Sequence, residues 1–414
     1  MPKPLRILYA AGHGNVIGTY KHWSEEKDDP SQVSVTYSGQ FFDVCRNLNA
    51  EAWVIAARED RETIQGQNIV VEHRPLPFPK ASGLAYHVGQ LLYGLGIIRS
   101  ALQFHADAVI VVEGTTHWFI LSLLSLAGIQ VVPSLHCLLW RKFIPISKKE
   151  RILFAFDRYL FSRFCSAILV VSDDIAHQVK ELTNGQNKPI FRFTPIYRPD
   201  RFEGVPKPSL ERSPFRVLYV GRVEAEKGVF DLVEVAKSLR EQGRHDIVFD
   251  ICGDGSSLEQ LRASVQAAGL EDVFHCYGYC NYTQMRERFA QSHVVIVPTR
   301  ADFIEGFNKV VVEGVLSGRP VITSAVCPAL ASVQDAVVEV PVNQTMGYRD
   351  AIVQLCDDTE LYAQKMKSCV ALQGQFYDAA KGWGAIAYSV MKRIQDKQQF
   401  EISELDELSA SVLK

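Results

Sequence analysis

No apolar run is long enough to cross a bilayer: the longest, residues 118–129, falls well short of the roughly 20 residues a spanning helix needs. The N-terminus has neither a basic leader nor a small-residue cleavage site, so a cytoplasmic location is expected. Charge bias is also missing. Lys and Arg number 44 against 47 Asp and Glu, a net charge of -3, which removes the global electrostatic attraction that nucleic-acid binding requires; no nucleic-acid partner is expected. Paired cysteine spacing is absent. The nine cysteines, an odd number scattered through apolar runs, fit reduced core residues rather than a disulfide framework. The close pair Cys276 and Cys280 lacks the second pair and the histidines of a zinc site, and no metal site is expected.

What is present suits a large soluble α/β protein. At 414 residues, 47% hydrophobic and 22% charged, the chain has apolar material for two cores and little reason for disorder. Short β-branched runs alternate with helical patterns, the signature of parallel α/β units. Candidate strands at 5–11, 52–58, 68–73, 108–112, 130–135, 167–171 and 189–194 precede a stretch rich in proline, 195–214. The pattern then restarts at 215–220, 247–252, 273–277, 294–298, 321–323 and 337–340. Two tandem Rossmann-like, doubly wound parallel-sheet domains follow, at 1–205 and 206–375. A helix at 376–397 is expected to pack back on the first domain, and 398–414 to form an acidic tail. In open parallel sheets ligands lie off the carboxyl ends of the strands, so the residues just after each run carry the information.

Two segments of the second domain stand out. Strand 215–220 ends at Gly221, and Arg222 and Lys227 follow before Gly228. Arg offers phosphate oxygens a fork and Lys a point charge, which makes this a candidate diphosphate clamp; the alternative is a pair of ordinary solvated loop charges. The second segment is Glu305-Gly306-Phe307-Asn308-Lys309, followed by Glu313. A helix starting near Gly306 would aim backbone N–H groups at an anion and set Glu313 roughly 10 Å further along. Two carboxylates there suit diol groups; two glutamates on a surface helix are the plainer reading.

Together these segments resemble the retaining, nucleotide-sugar-dependent glycosyltransferases of family 4 (glycosyl transferases group 1), which have the GT-B fold. The resemblance extends to Cys252-Gly253-Asp254-Gly255, Gly278-Tyr279 and 318–324, and is specific only in the second domain. It implies that Arg222 and Lys227 bind the donor diphosphate, Glu305 contacts the transferred sugar, and Glu313 contacts the ribose. Phe307, Asn308 and Lys309 would face sugar and phosphates, and Tyr279 would flank the base. Gly221 and Gly253 belong to the same donor site. Family members commonly carry Gly where Asn308 stands, and a glycine-rich stretch where Val326-Cys327-Pro328-Ala329 follows Ser324. The Asp-x-Asp triplet that holds a divalent metal in many other glycosyltransferases does not occur in the sequence, so no cofactor is expected and the cations take the metal's place.

The first domain is less readable. Its glycine loop, Gly12-His13-Gly14, resembles the family's first loop near donor and acceptor. It also approaches a dinucleotide fingerprint, but residues 19–32 are polar and the helix such a loop demands is expected to be missing. His136, after strand 130–135, matches a family histidine near the reacting sugar; a satisfied histidine at a strand end is the alternative. His13 is a second candidate. Glu113 fits either a cleft position or a cap on the next helix, and Ser172 a helix N-cap. Residues 140–164 interleave Arg141, Lys142, Lys148, Lys149, Arg151, Arg158 and Arg163 with aromatics, which fits an amphipathic helix on the sheet or peripheral contact with the inner membrane surface.

The expectation is a metal-independent retaining glycosyltransferase. A nucleotide sugar would be the donor, and a glycan, lipid-linked or small-molecule compound the acceptor, with cleft closure assembling the site. A sugar-nucleotide isomerase or epimerase of the same architecture, and a catalytically silent sugar-nucleotide-binding subunit, are the competing readings.

Overall fold

The computed structural model describes residues 3–209 and 212–400. The chain forms two compact units. The first comprises residues up to Leu139, Ile146–Ile196 and the chain from Asp378 onward; the second comprises Trp140–Pro145 and Tyr197–Tyr377. Of the expected acidic tail, residues 401–414 lie outside the described residues.

The first unit is built on an eight-stranded sheet of β1 (Arg6–Ala10), β2 (Glu51–Ala56), β3 (Glu62–Gln65), β4 (Ile69–His73), β5 (Ala108–Val112), β6 (Gln130–Leu135), β7 (Ile168–Val170) and β8 (Ile190–Arg192). The order is β3-β4-β2-β1-β5-β6-β7-β8, parallel except for β3 against β4. The central strands are buried on both faces, as their continuous Val and Ile runs require. Edge strand β3 was not expected from the sequence: its four residues, Glu-Thr-Ile-Gln, are mostly exposed and carry no apolar run. Six helices connect the strands: α1 (Val16–Ser24), α2 (Tyr37–Leu48), α3 (Gly83–Phe104), α4 (Ser122–Leu126), α5 (Lys148–Tyr159) and α6 (Asp173–Thr183).

Helix α1 corrects the expectation of a missing helix after the Gly12–Gly14 loop. Asn15 caps it by accepting from the Gly18 N–H at 3.0 Å, and Val16, Ile17 and Tyr20 bury its inner face. The helix begins before the polar stretch, so that stretch marks its solvent side and its end. Ser172 caps α6 as expected, accepting from the Ile175 N–H.

The second unit carries a six-stranded parallel sheet: β9 (Phe215–Val220), β10 (Ile247–Cys252), β11 (Phe274–Gly278), β12 (Val294–Val297), β13 (Val321–Thr323) and β14 (Val337–Glu339). Its order, β11-β10-β9-β12-β13-β14, is the doubly wound arrangement, whose strand order reverses between β9 and β12 while all six strands stay parallel. Helices α7 (Val229–Glu241), α8 (Leu258–Ala267), α9 (Tyr282–Gln291), α10 (Lys309–Leu316), α11 (Leu330–Val333), α12 (Thr345–Asp357) and α13 (Thr359–Leu372) surround it. The unit begins at Tyr197 because Tyr197 is buried there and its N–H donates to the Phe376 carbonyl.

The last helix, α14 (Trp383–Gln395), belongs to the first unit. It packs on α2, where the Gly384 N–H donates to Gln40 Oε1 at 2.7 Å, and Trp383, fully buried, donates its indole N–H to Ser134 Oγ at 2.9 Å.

Candidate functional site

The switch point between β9 and β12 is where an open sheet leaves room for a ligand. Beyond the tips of β9 and β10 the backbone continues as a tight weave: Gly221 N–H donates to Cys252 O, Val223 N–H to Asp254 O, and Gly253 N–H to Gly278 O. A Cβ on Gly253 would lie 1.7 Å from the Gly221 carbonyl oxygen, so only glycine fits. Gly253 thus shapes the loop, with its N–H already bonded. A 3-10 turn, Ala225–Lys227, then leads to Gly228, whose φ of 76° and a Cβ position 2.1 Å from the Pro298 carbonyl oxygen also require glycine. That close approach brings Lys227 to the loop after β12.

There the side chains converge. Lys227 Nζ donates to Glu305 Oε2 at 2.7 Å, with both groups largely buried. The same oxygen accepts from Thr299 Oγ1 and from Asn308 Nδ2, each at 3.0 Å, and Oε1 accepts from the Gly306 N–H at 3.1 Å. Lys227 also sits 3.9 Å from the centre of the Phe303 ring, and the Arg222 guanidinium lies over that ring at 5.7 Å. Arg222 is exposed and forms no ion pair among the described residues. Its carbonyl accepts from the Tyr219 hydroxyl at 2.6 Å, which fixes the loop from below.

These groups line one cavity of 200 Å³, bounded by Tyr219, Gly221, Arg222, Lys227, Thr299, Glu305, Asn308 and Lys309 among others. Gly253, Tyr279, Gly306, Phe307 and Glu313 are not in its lining. Tyr279 is 75% exposed and Phe307 is buried.

The helix after Glu305 starts later than expected. It begins at Lys309, not near Gly306, because Asn308 adopts the left-handed conformation (φ 57°, ψ 82°) and breaks the preceding turn. Glycine reaches that conformation at no steric cost and Asn tolerates it, which accounts for Gly being common at this position in the family the sequence resembles. Here the Asn side chain adds a contact that Gly lacks. Its Nδ2 reaches Glu305 and also lies 3.7 Å from Cys327 Sγ, so the two departures from the family pattern touch each other. Glu313, one turn into α10, is pushed up to about 7 by burial, which the nearby Lys309 partly offsets. Burial in turn lowers the Lys309 ammonium.

The strand tips of the first unit hold a different arrangement. Both oxygens of Glu113, after β5, accept the His136 N–H at 3.0 Å. Glu113 is therefore neither a cap on the next helix nor a free cleft group: it ties the tip of β6 to that of β5. Burial pushes its carboxyl up to about 7, and the backbone donors restrain the rise. His136 Nε2 lies 2.9 Å from Ser134 Oγ, the atom that accepts from Trp383, and the imidazole packs against Tyr37 (4.3 Å) and Phe193 (5.2 Å). Gly12 is pressed against Val112, 3.3 Å from its Cγ1 to a notional Cβ, and Gly14 accepts from the Val16 N–H. His13 is exposed, with Nδ1 3.3 Å from the Ala57 carbonyl, and lines a separate 490 Å³ cavity with Arg58, Glu59 and Lys80.

Phe303, Thr299 and Tyr219 are not singled out by the sequence, and Cys327 only as part of the stretch after Ser324 that departs from the family pattern. The loop after β12 was a usable signal for Phe303 and Thr299, because it follows a strand end at the switch point. The contacts of Tyr219 and Cys327 arise only in three dimensions.

Comparison with known proteins bears on this site. Residues 201–368 match the family described as glycosyl transferases group 1. The chain is 30% identical over 173 residues to an alpha-D-kanosaminyltransferase of Streptomyces kanamyceticus, covering 41% of this chain and 44% of that protein. It is 27% identical over 212 residues to a 2-deoxystreptamine N-acetyl-D-glucosaminyltransferase of Streptomyces fradiae, covering 49% and 50%. The matched stretches thus span about half the length of these curated relatives. Among solved structures, sucrose-phosphate synthase from Thermosynechococcus elongatus superposes with a TM-score of 0.69 at 14% identity, over 95% of this chain and 99% of that one. Anabaena HepE in complex with UDP gives 0.65 at 15% identity, over 94% and 100%. At such identities the likeness establishes the fold.

Proposed function

We propose that this chain, whose residues 201–368 match the glycosyl transferases group 1 family, is a metal-independent, retaining glycosyltransferase. It moves a hexosyl unit from a nucleotide-diphosphate sugar to a saccharide, a lipid-linked glycan or a small hydroxylated molecule. The observation that carries this reading is the convergence of Arg222 and Lys227 on one ring and one cavity at the switch point, with Glu305 beside them. A cavity of 200 Å³ is smaller than the roughly 300–1,000 Å³ of a whole-ligand pocket and suits a diphosphate with part of its sugar.

In the transfer, the bond from the anomeric carbon to the diphosphate oxygen breaks and one to an acceptor hydroxyl oxygen forms on the same face. The acceptor proton passes to the leaving diphosphate. Negative charge grows on the leaving oxygens, and two cations held in advance stabilise that charge more than the ground state. Lys227 has two N–H donors beyond the one given to Glu305, so it can grip phosphate without breaking its ion pair. Glu305, fixed by its four donors, holds a constant orientation towards sugar hydroxyls. The cavity beside His13 in the first unit, with Arg58, Glu59 and Lys80, offers polar groups of both signs to an acceptor.

The contact of Asn308 with Glu305 and Cys327 favours one second reading, a subunit that binds sugar nucleotide without turning it over. A single experiment separates the two. A thermal-shift screen of nucleoside diphosphates and their sugar conjugates first finds the donor, since a ligand of the native state raises Tm. The donor is then incubated with candidate acceptors and the anomeric configuration of any product is read by NMR. Transfer with retention supports the proposal. Binding without transfer or donor hydrolysis supports the silent subunit, and an inverted product excludes the retaining reaction.

A further inference from the structure

Away from the strand tips, the first unit presents an apolar surface that its own fold leaves uncovered. Helix α3 has 22 residues with no acidic side chain and a single Arg, and it is apolar all round. One face, with Tyr93, Ile97 and Ala101, is buried. The opposite face repeats Leu84, Val88, Leu92, Leu95 and Leu102 at helical spacing, all exposed, Leu84 at 80%. Helix α5 does the same with Ile152, Phe156 and Tyr159, Ile152 at 64%. Between them Leu126 of α4 is 70% exposed. The rows are joined by rings: His87 stacks on His117 at 5.2 Å, His117 on Phe119 at 5.8 Å, and Phe119 meets Phe156 at 5.8 Å. A helix that is apolar all round belongs either in a core or against lipid, and the outer rows of α3 are in no core.

The charges on this surface are predominantly positive. Arg99 shares the outer face of α3, and Lys148, Lys149 and Arg151 are exposed at the start of α5. Of the two acids of these helices, Glu150 is partly exposed but engaged in a capping box with Ser147, and Asp157 is buried and accepts the Phe119 N–H at 2.9 Å. Lysines in a first helical turn oppose the helix dipole, a cost that an anionic surface would offset.

We propose that α3, α4 and α5 form a peripheral docking surface for an anionic lipid bilayer. The Leu and Phe rows enter the acyl boundary and Arg99, Lys148, Lys149 and Arg151 meet lipid phosphates. Among the described residues no helix is long and apolar enough to cross a membrane, so α3 lies along the interface. A second copy of the chain fits less well, because a two-fold contact through this patch would face cations with cations. The inference stands on the first unit alone and is independent of the donor reading.

The test is sedimentation of the full chain with vesicles of phosphatidylglycerol and phosphatidylcholine, and with phosphatidylcholine alone, at low and high salt. Two double variants change only exposed side chains, Ile152→Ser with Phe156→Ser and Lys148→Glu with Lys149→Glu, and circular dichroism verifies their folding. The expected result is partition to anionic vesicles that weakens with salt, and that falls by about tenfold or more in each variant, as loss of buried apolar area and of surface cations demands. The proposal is overturned by absent binding to anionic vesicles, by unchanged binding in folded variants, or by a wild-type dimer that dissociates in the Phe156 variant while no vesicles are bound.

Discussion

In the first unit a carboxylate beyond a strand tip, Glu113, is bound to the chain's own backbone at His136, and the neighbouring histidine is packed among Ser134, Tyr37 and Phe193. In the second unit the corresponding carboxylate, Glu305, is held by Lys227, Thr299 and Asn308 at the wall of a cavity, with Arg222, which forms no ion pair among the described residues, at its edge. The central strands of both sheets are parallel and both of these tips carry titratable groups, yet beside Glu113 the carboxylate is taken up by backbone, whereas beside Glu305 two cations face a cavity. A perturbed carboxyl at a strand end therefore does not identify a binding site by itself. The free donors around it do.

The two tips should differ most in their response to loss of Lys227. Lys227→Ala leaves Glu305 buried without its cation, and truncating one partner of such a pair costs about 3–5 kcal/mol. Chemical denaturation should show a loss of that size together with lost donor binding, whereas an unchanged midpoint would mean the pair is not maintained in solution. Arg222→Ala should act almost wholly on function: its side chain is exposed, so Tm stays within about a degree or two, while turnover falls about 100- to 1,000-fold.

At the first unit's tip the expected signature is in stability against pH. The folded-state Glu113 carboxyl titrates at about 7, above its ordinary value. Its contribution is thus fully present below the unfolded pKa of about 4.3, declines as pH rises towards 7, and stays lost above. Denaturant midpoints of wild type should fall across that window relative to Glu113→Gln, by a difference on the order of 3 kcal/mol. Parallel profiles would show that the carboxyl is not buried as described. The smallest effect belongs to Asn308→Gly, which keeps the left-handed backbone but removes the contact with Glu305. A change of about 1 kcal/mol is expected, read as a several-fold shift in preference between donor sugars, with chain stability nearly constant.

How much the sequence disclosed also differs between the units. The paired cations and glutamates sit in contiguous segments, so Arg222, Lys227 and Glu305 were legible, as were all six strands of the second sheet. The start of α10 was not, because a left-handed Asn308 interrupts a segment whose composition reads as helical from Gly306. In the first unit, α1 was hidden by its polar outer face and β3 by its exposure, both cases in which tertiary packing overrides a local pattern. The tie between Glu113 and His136 spans two strands that are adjacent only in the folded sheet. Nothing in the spacing announces it.

The claim that matters most is that the tip of the second sheet binds a diphosphate. Calorimetric titration of a nucleoside and of its diphosphate into wild type and Arg222→Ala tests it directly. The diphosphate is expected to tighten binding by tenfold or more in wild type, and most of this gain is expected to disappear in the variant. Equal affinities for nucleoside and diphosphate, or a gain that survives the substitution, would contradict it.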